Sequence, residues 1–151
     1  PGAIAGRTLL RDHNGRGRPD HEAGQSGQAL LHRRQHQPAG HLEPSESIIQ
    51  GCIREVLEET AYTFQPQWLI GIYQWHSSIT DTTYLRFALS GLVTEFDANR
   101  ELDTGILRAS WFELDEIQHR RSHHRSPLVL RCIEDYLAGK RYPLSIITHQ
   151  T

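Results

Sequence analysis

Three glutamates constrain this chain more than any other feature. Glu55, Glu58 and Glu59 stand at the spacing i, i+3, i+4. On an α-helix, which turns about 100° per residue, all three fall within one arc of roughly 100°. A helix is expected here, because Ile48, Ile49, Cys52, Ile53, Val56 and Leu57 recur as a single apolar face, the pattern of a helix buried on one side. Ser45 is the expected N-cap, and Glu46 stands where the helix dipole favours negative charge. The three glutamates are expected on the exposed face. Like charges at that spacing cost about 0.2–0.5 kcal/mol per pair. A divalent cation would convert the repulsion into a binding site, and magnesium suits carboxylate oxygens while bridging to phosphates. The ordinary alternative for an acidic run of this kind is a solvated helix face.

The surrounding residues narrow that choice. A turn at residues 37–40 (QPAG) ends in Gly40. Five residues later comes Glu46, and after seven more comes Arg54-Glu55-Val56-Leu57-Glu58-Glu59. This spacing is the Nudix box, G-x5-E-x7-R-E-U-x-E-E-x-G-U. The chain departs from it at the final glycine, which is Ala61, and at the last apolar position, which is Tyr62. The chain therefore resembles a Nudix hydrolase. Residues 37–43 (QPAGHLE), 84–87 (YLRF), 125–129 (RSPLV) and 141–144 (RYPL) resemble one bacterial phosphatase subfamily within it. The resemblance covers residues 37–147.

That resemblance implies an α/β fold, an α/β/α sandwich with a mixed sheet. It also implies an enzyme that cleaves phosphoanhydride bonds with magnesium, or with manganese in its place. Glu58 and Glu59 are the implied principal metal ligands, and Glu55 is a ligand or the general base. Arg54 would orient the glutamates through ion pairing. Gly40 would let the backbone approach metal or phosphate, and His41 beside it would neighbour phosphate. The implied substrates are nucleoside di- and triphosphates, thiamine pyrophosphate and hydroxymethylpyrimidine diphosphate. An inactive Nudix-fold module that binds without turnover is the alternative.

Other substrate contacts are read from position. Arg86 lies mid-strand among apolar neighbours, where it either faces the cleft or points out to solvent. Arg125 precedes a helix N-terminus, a natural anion site. Trp75 and His76 end a strand, where they could meet a heterocycle, and Trp75 has a core role as the alternative. Ala61 is expected to strain the helix end by about 1 kcal/mol if it adopts positive φ.

The 151 residues are enough for one domain with a real core. A net charge of −2 gives no reason to expect a nucleic-acid polymer as partner. No apolar run is long enough to span a membrane and no secretory signal is visible, so a cytoplasmic monomer acting on small molecules is expected. Cys52 and Cys132 fall on apolar helix faces and read as small buried hydrophobes.

Residues 1–36 differ from the rest. They are rich in Gly, Arg, His and Gln, contain no Val, and precede every aromatic residue in the chain. No run alternates as a strand should, and only residues 28–31 (QALL) have helical promise. This composition predicts a poorly ordered arm ahead of a domain over 37–151. Together with the absence of Met, it predicts a start that is truncated or out of frame. After the box, strands are expected over 67–75, 82–93 and 106–114, with a turn at Pro66 and a bulge at Gly91. A short helical turn over 115–119 should follow, then a basic loop over 120–125. The last helix should be capped by Ser126 with Pro127 at N1, and end at Gly139.

Overall fold

A computed structural model describes residues 3–6, 28–32, 42–104, 106, 109–124 and 126–150. Helix α1 spans Ile48–Thr60. Its N-cap is Ser47 rather than Ser45: the Ser47 hydroxyl accepts from Gln50 N–H at 3.1 Å, and the Gln50 side chain accepts from Ser47 N–H at 3.0 Å. The reason is reciprocity. Three residues after Ser47 stands a glutamine, whereas three after Ser45 stands Ile48, which offers no partner. Ser45 instead takes a left-handed turn at φ 63°.

Two long strands follow, β3 at Tyr62–Ser77 and β4 at Thr82–Phe96, both longer than expected. Strand β1 is Ala3–Gly6 and β6 is Tyr142–Pro143, and the sheet order is β1-β4-β3-β6. A second, two-stranded sheet pairs β2 at Gln28–His32 with β5 at Ala109–Glu113. Every pairing among the described residues is antiparallel, so the parallel part of a mixed sheet is not among them. Helices α2 at Leu114–His119 and α3 at Leu128–Leu137 complete the fold.

Both strands β1 and β2 lie within the first 36 residues, where no strand was expected. Residues 28–31, read as helical, are extended and paired with Ser110 to Glu113. Pairing to an existing strand outweighs weak local preference. The expected disorder of that arm falls mostly outside the described residues.

Pro66 lies inside β3 rather than in a turn before it. It faces Gly91 at a register shift between Pro66 and Trp68, and a bulge is where a strand tolerates a residue without N–H. Gly91 is required there by close approach, because a Cβ on it would collide with the Gln65 carbonyl oxygen.

The main sheet is covered on both faces. Against one, α1 packs Cys52 and Val56 onto Phe64, Leu69 and Leu89. Against the other, Cys132 of α3 meets Ile70 and Ala88. A third cluster joins Phe112, Ile117, Val129, Leu130 and Ile133 beneath the smaller sheet. Both cysteines are buried, and burial pushes the Cys132 thiol up to about 11 despite the opposing charge of Arg86. Helix α3 begins after Pro127, not with Ser126 as a side-chain cap. The Ser126 hydroxyl is buried without a hydrogen bond, and its carbonyl accepts from Val129 N–H at 3.3 Å. Gly139 closes the helix at φ 80° as expected.

Gly91→Ala is expected to lower stability by about 2–3 kcal/mol, since backbone on both sides must give way. A thermal melt within 1–2 °C of the parent, against the roughly 4–8 °C drop expected, would show that the bulge can relax.

Candidate active site

The centre of the site is a guanidinium. Arg54 Nε donates to Glu46 Oε1 at 2.8 Å and Nη2 donates to Glu46 Oε2 at 2.9 Å. Its Nη1 donates to both Glu55 Oε1 and Glu58 Oε2 at 2.9 Å. Arg54 therefore gathers three carboxylates, one from before α1 and two from its length. Its own pKa is raised, first by the bond to Glu46 and then, against burial, by those to Glu55 and Glu58.

Glu55 and Glu59 are 6% and 7% exposed, which corrects the expectation of an exposed face. Glu58 is half-buried. The connection after β4 folds back to the end of α1. Asp97 N–H donates to the Ala61 carbonyl at 2.9 Å and Asp103 N–H to the Glu58 carbonyl at 3.1 Å. Ala61 caps the helix in the left-handed region, φ 60° and ψ 13°, with its N–H on Leu57 O.

The donor set suits a hard divalent cation, being three carboxylates at i, i+3, i+4 of one helix. As they stand, Glu55 and Glu58 are drawn to Arg54, and among the described residues no group of three His, Cys, Asp or Glu converges on a metal position. The residues therefore fit the ion in kind, and their side chains would have to swing together around it.

The other expected contacts are spread out. Gly40, His41 and Arg125 lie outside the described residues. Arg86 faces Tyr73 across β3 and β4, and its charge acts on the Cys132 thiol of α3, so it lies on the sheet face opposite α1. That is neither the carboxylate cleft nor open solvent. Trp75 shares this face and stacks on Tyr84 at 5.6 Å and 22°. His76 is exposed at the hairpin end, 3.2 Å from Thr83 Oγ1 and 3.6 Å from Asp81. The structure brings together Arg54, Glu55 and Glu58, and it does not bring Arg86 or Trp75 to them.

Two features escaped the reading of the sequence. Glu46 was read as a dipole partner, yet it is the bidentate anchor of Arg54, and the E-x7-R spacing of the box was the available signal. On the far face, buried Asp135 accepts from Tyr73 Oη at 3.0 Å and pairs with Arg131 at 3.2 Å and Lys140 at 3.0 Å. No local pattern foretold that network, because Tyr73 and Asp135 are 62 residues apart.

The matches to known proteins give the family. The NUDIX domain family model matches residues 21–132. The chain belongs to the Nudix family. Its match begins upstream of residue 37, where the resemblance read from motifs began. Curated relatives named Phosphatase NudJ, from Shigella boydii serotype 4 (strain Sb227) and Escherichia coli (strain K12), are each 38% identical over 111 residues. Those matches cover 74% of this chain and 71% of each relative. A solved NUDIX hydrolase from Nitrosomonas europaea is 46% identical, with a TM-score of 0.76, covering 99% of this chain and 97% of its own. This Nudix protein is a hydrolase of the NudJ-like kind acting on pyrophosphate bonds, and no helix among its described residues is long and apolar enough to cross a membrane.

Glu46→Gln is expected to lower kcat about 100-fold, because it releases Arg54 and with it the aim of Glu55 and Glu58. Activity within threefold of the parent would show that Arg54 is positioned without it. On the far face, burial raises the Asp135 pKa, but hydrogen bonds from Lys140 and Tyr73 and the charges of Arg131 and Lys140 outweigh it, and the net shift is downward. A depressed carboxylate stabilises the fold above its unfolded pKa of about 3.9 and loses that contribution as pH falls through its folded value. Asp135→Asn should therefore be less stable than the parent at pH 7, with the gap closing as denaturant melts are taken below about pH 4. A gap that does not change with pH would contradict the ionised network.

Proposed function

We propose that this chain is a magnesium-dependent pyrophosphohydrolase and phosphatase, with manganese as a substitute ion. Its proposed substrates are nucleoside di- and triphosphates, thiamine pyrophosphate and hydroxymethylpyrimidine diphosphate. The observation that carries the reading is the gathering of Glu46, Glu55 and Glu58 by one arginine, with Glu59 one turn after Glu55. Glu55, Glu58 and Glu59 would hold the ion. When bound, it supplies polarisation of a phosphoryl oxygen and a lowered pKa for its water.

The chain's own residues do the rest. Arg54 fixes Glu55 and Glu58 in direction, since a guanidinium does not lose its proton near neutral pH and so stays a donor to both. Glu55, buried and bonded through Oε1 to Arg54, is the proposed ligand or the proposed base for the proton of an attacking water. Gly40 and His41 are proposed phosphate neighbours from their place in the box, and Arg125 from its place ahead of α3. Arg86 and Trp75 are left out of the substrate set because of the face they occupy. The proposed setting is a cytoplasmic monomer acting on small molecules.

The test is phosphate release from thiamine pyrophosphate and from a nucleoside triphosphate, with magnesium and with chelator. Release that requires the ion, and that falls at least about 100-fold in Glu58→Gln and Glu59→Gln, is the expected result. Tight binding of the same compounds without phosphate release would favour the binding-module reading. Near-parent rates in both variants would remove the carboxylates from the mechanism.

A further inference from the structure

Two cations, Arg131 of α3 and Lys140 just after it, converge on Asp135, and a cavity opens beside them. Strand β6 pairs with β3 only at Trp68 and Leu69. From Ile70 onward, that edge of β3 has no strand beside it among the described residues. The space left there has a volume of about 490 Å³, within the roughly 300–1,000 Å³ of sites that hold small organic molecules. One wall is apolar. Ile72 of β3, Tyr142 of β6 and Ile146 of the turn that follows line it, and they stand 53%, 47% and 56% exposed. The other wall carries Arg131, Asp135 and Lys140. None of its described lining comes from α1, so it is separate from the Arg54 site.

Charge decides what such a cavity can hold. Asp135 is buried, with Tyr73 Oη and Arg131 Nε on Oδ2 and Lys140 Nζ on Oδ1. One cation is enough to neutralise one buried carboxylate. The second leaves the cluster with one net positive charge. Burial raises the Asp135 pKa, but the bonds from Lys140 and Tyr73 and the charge of Arg131 outweigh it. The acid is therefore ionised at neutral pH, and the positive surplus persists. Donors remain to use it. Arg131 bonds Asp135 through Nε, which leaves the two terminal amino groups of the guanidinium, and an ammonium has three N–H groups of which Asp135 takes one.

We propose that this cavity is a second ligand site, which takes a small organic monocarboxylate with an apolar body. The carboxylate sits between Arg131 and Lys140, and the body covers Ile72, Tyr142 and Ile146. One negative charge completes the balance of the cluster, charge-assisted bonds hold it, and the half-exposed apolar wall leaves water.

The experiment titrates phenylacetate into the full chain with chelator present, followed by amide shifts in a two-dimensional NMR spectrum. Saturation with Kd of about 1 mM or tighter is expected, with the largest shifts near residues 71–73 and 140–142. Phenylacetamide, which lacks the charge, and acetate, which lacks the ring, should each bind at least about tenfold more weakly. Lys140→Met leaves Asp135 paired with Arg131, and Ile146→Ser alters only the apolar wall. Each should weaken phenylacetate at least about fivefold with the native spectrum kept. Should Lys140→Met unfold, Arg131→Met removes the same charge and decides in its place. No saturable shift up to about 20 mM phenylacetate, equal affinity for phenylacetamide, or unchanged affinity in the charge and wall variants would overturn the proposal.

Discussion

One guanidinium among four carboxylates is the interaction on which the rest of the site depends. Arg54 bonds Glu46, Glu55 and Glu58, and Glu59 is buried on the next turn of the same helix. Glu55, Glu58 and Glu59 crowd into the C-terminal half of α1, where the helix dipole already places negative charge, and no basic residue stands in the last turn. Removing carboxylates from water is costly unless they are paired. Arg54 offsets part of that cost and leaves surplus negative charge in a partly buried setting. Such a place suits a hard divalent cation, whose oxygen ligands can include both carboxylates and phosphates.

The sheet decides what can approach that charge. Antiparallel strands β3 and β4 send alternate side chains to opposite faces. Leu69, Phe87 and Leu89 therefore meet α1, while Tyr73, Arg86 and Ala88 meet α3. A single strand carries both an arginine that a phosphate could attract and residues that pack against α1, yet on faces separated by the thickness of the sheet. Arg86 instead joins a polar layer with Cys132, next to Tyr73 and Asp135. That layer fixes the C-terminal half of α3 against β3, which is a structural task.

The helix could be read in advance because it rests on local spacing, with apolar residues every three or four positions. The E-x7-R spacing also carried the Glu46–Arg54 pair, although wheel geometry alone could not show that a residue ahead of the helix would fold back onto it. What could not be read depended on distant chain. The connection around Asp97 and Asp103 bonds the end of α1, and strand β2 pairs with β5, a partner about eighty residues later in the chain. Ser45 and Ser47 both fit a cap by type, and only the reciprocal bond of Gln50 separates them.

Ala61 shows how such non-local support absorbs a local fault. The box has glycine at this position, and alanine in the left-handed region costs about 1–2 kcal/mol. Here the helix end is clamped on several sides. Ala61 N–H reaches Leu57 O at 2.9 Å, Asp97 N–H reaches Ala61 O at 2.9 Å, and Thr60 Oγ1 donates to Val56 O at 2.6 Å while accepting from Tyr62 N–H at 3.1 Å. Tyr62 then packs against Phe96 in a tilted pair at 4.9 Å and 45°, and meets Trp111 edge-on at 6.3 Å. Hydrogen bonds of this kind contribute about 0.5–1.5 kcal/mol each, and an aromatic pair adds about as much. Two or three of them exceed the strain of one left-handed alanine. The turn therefore holds without glycine, and Glu58 and Glu59, one turn or less before it, keep helical geometry. The departure from the box falls on the frame of the site, where surrounding contacts can compensate, and not on a carboxylate, where none could.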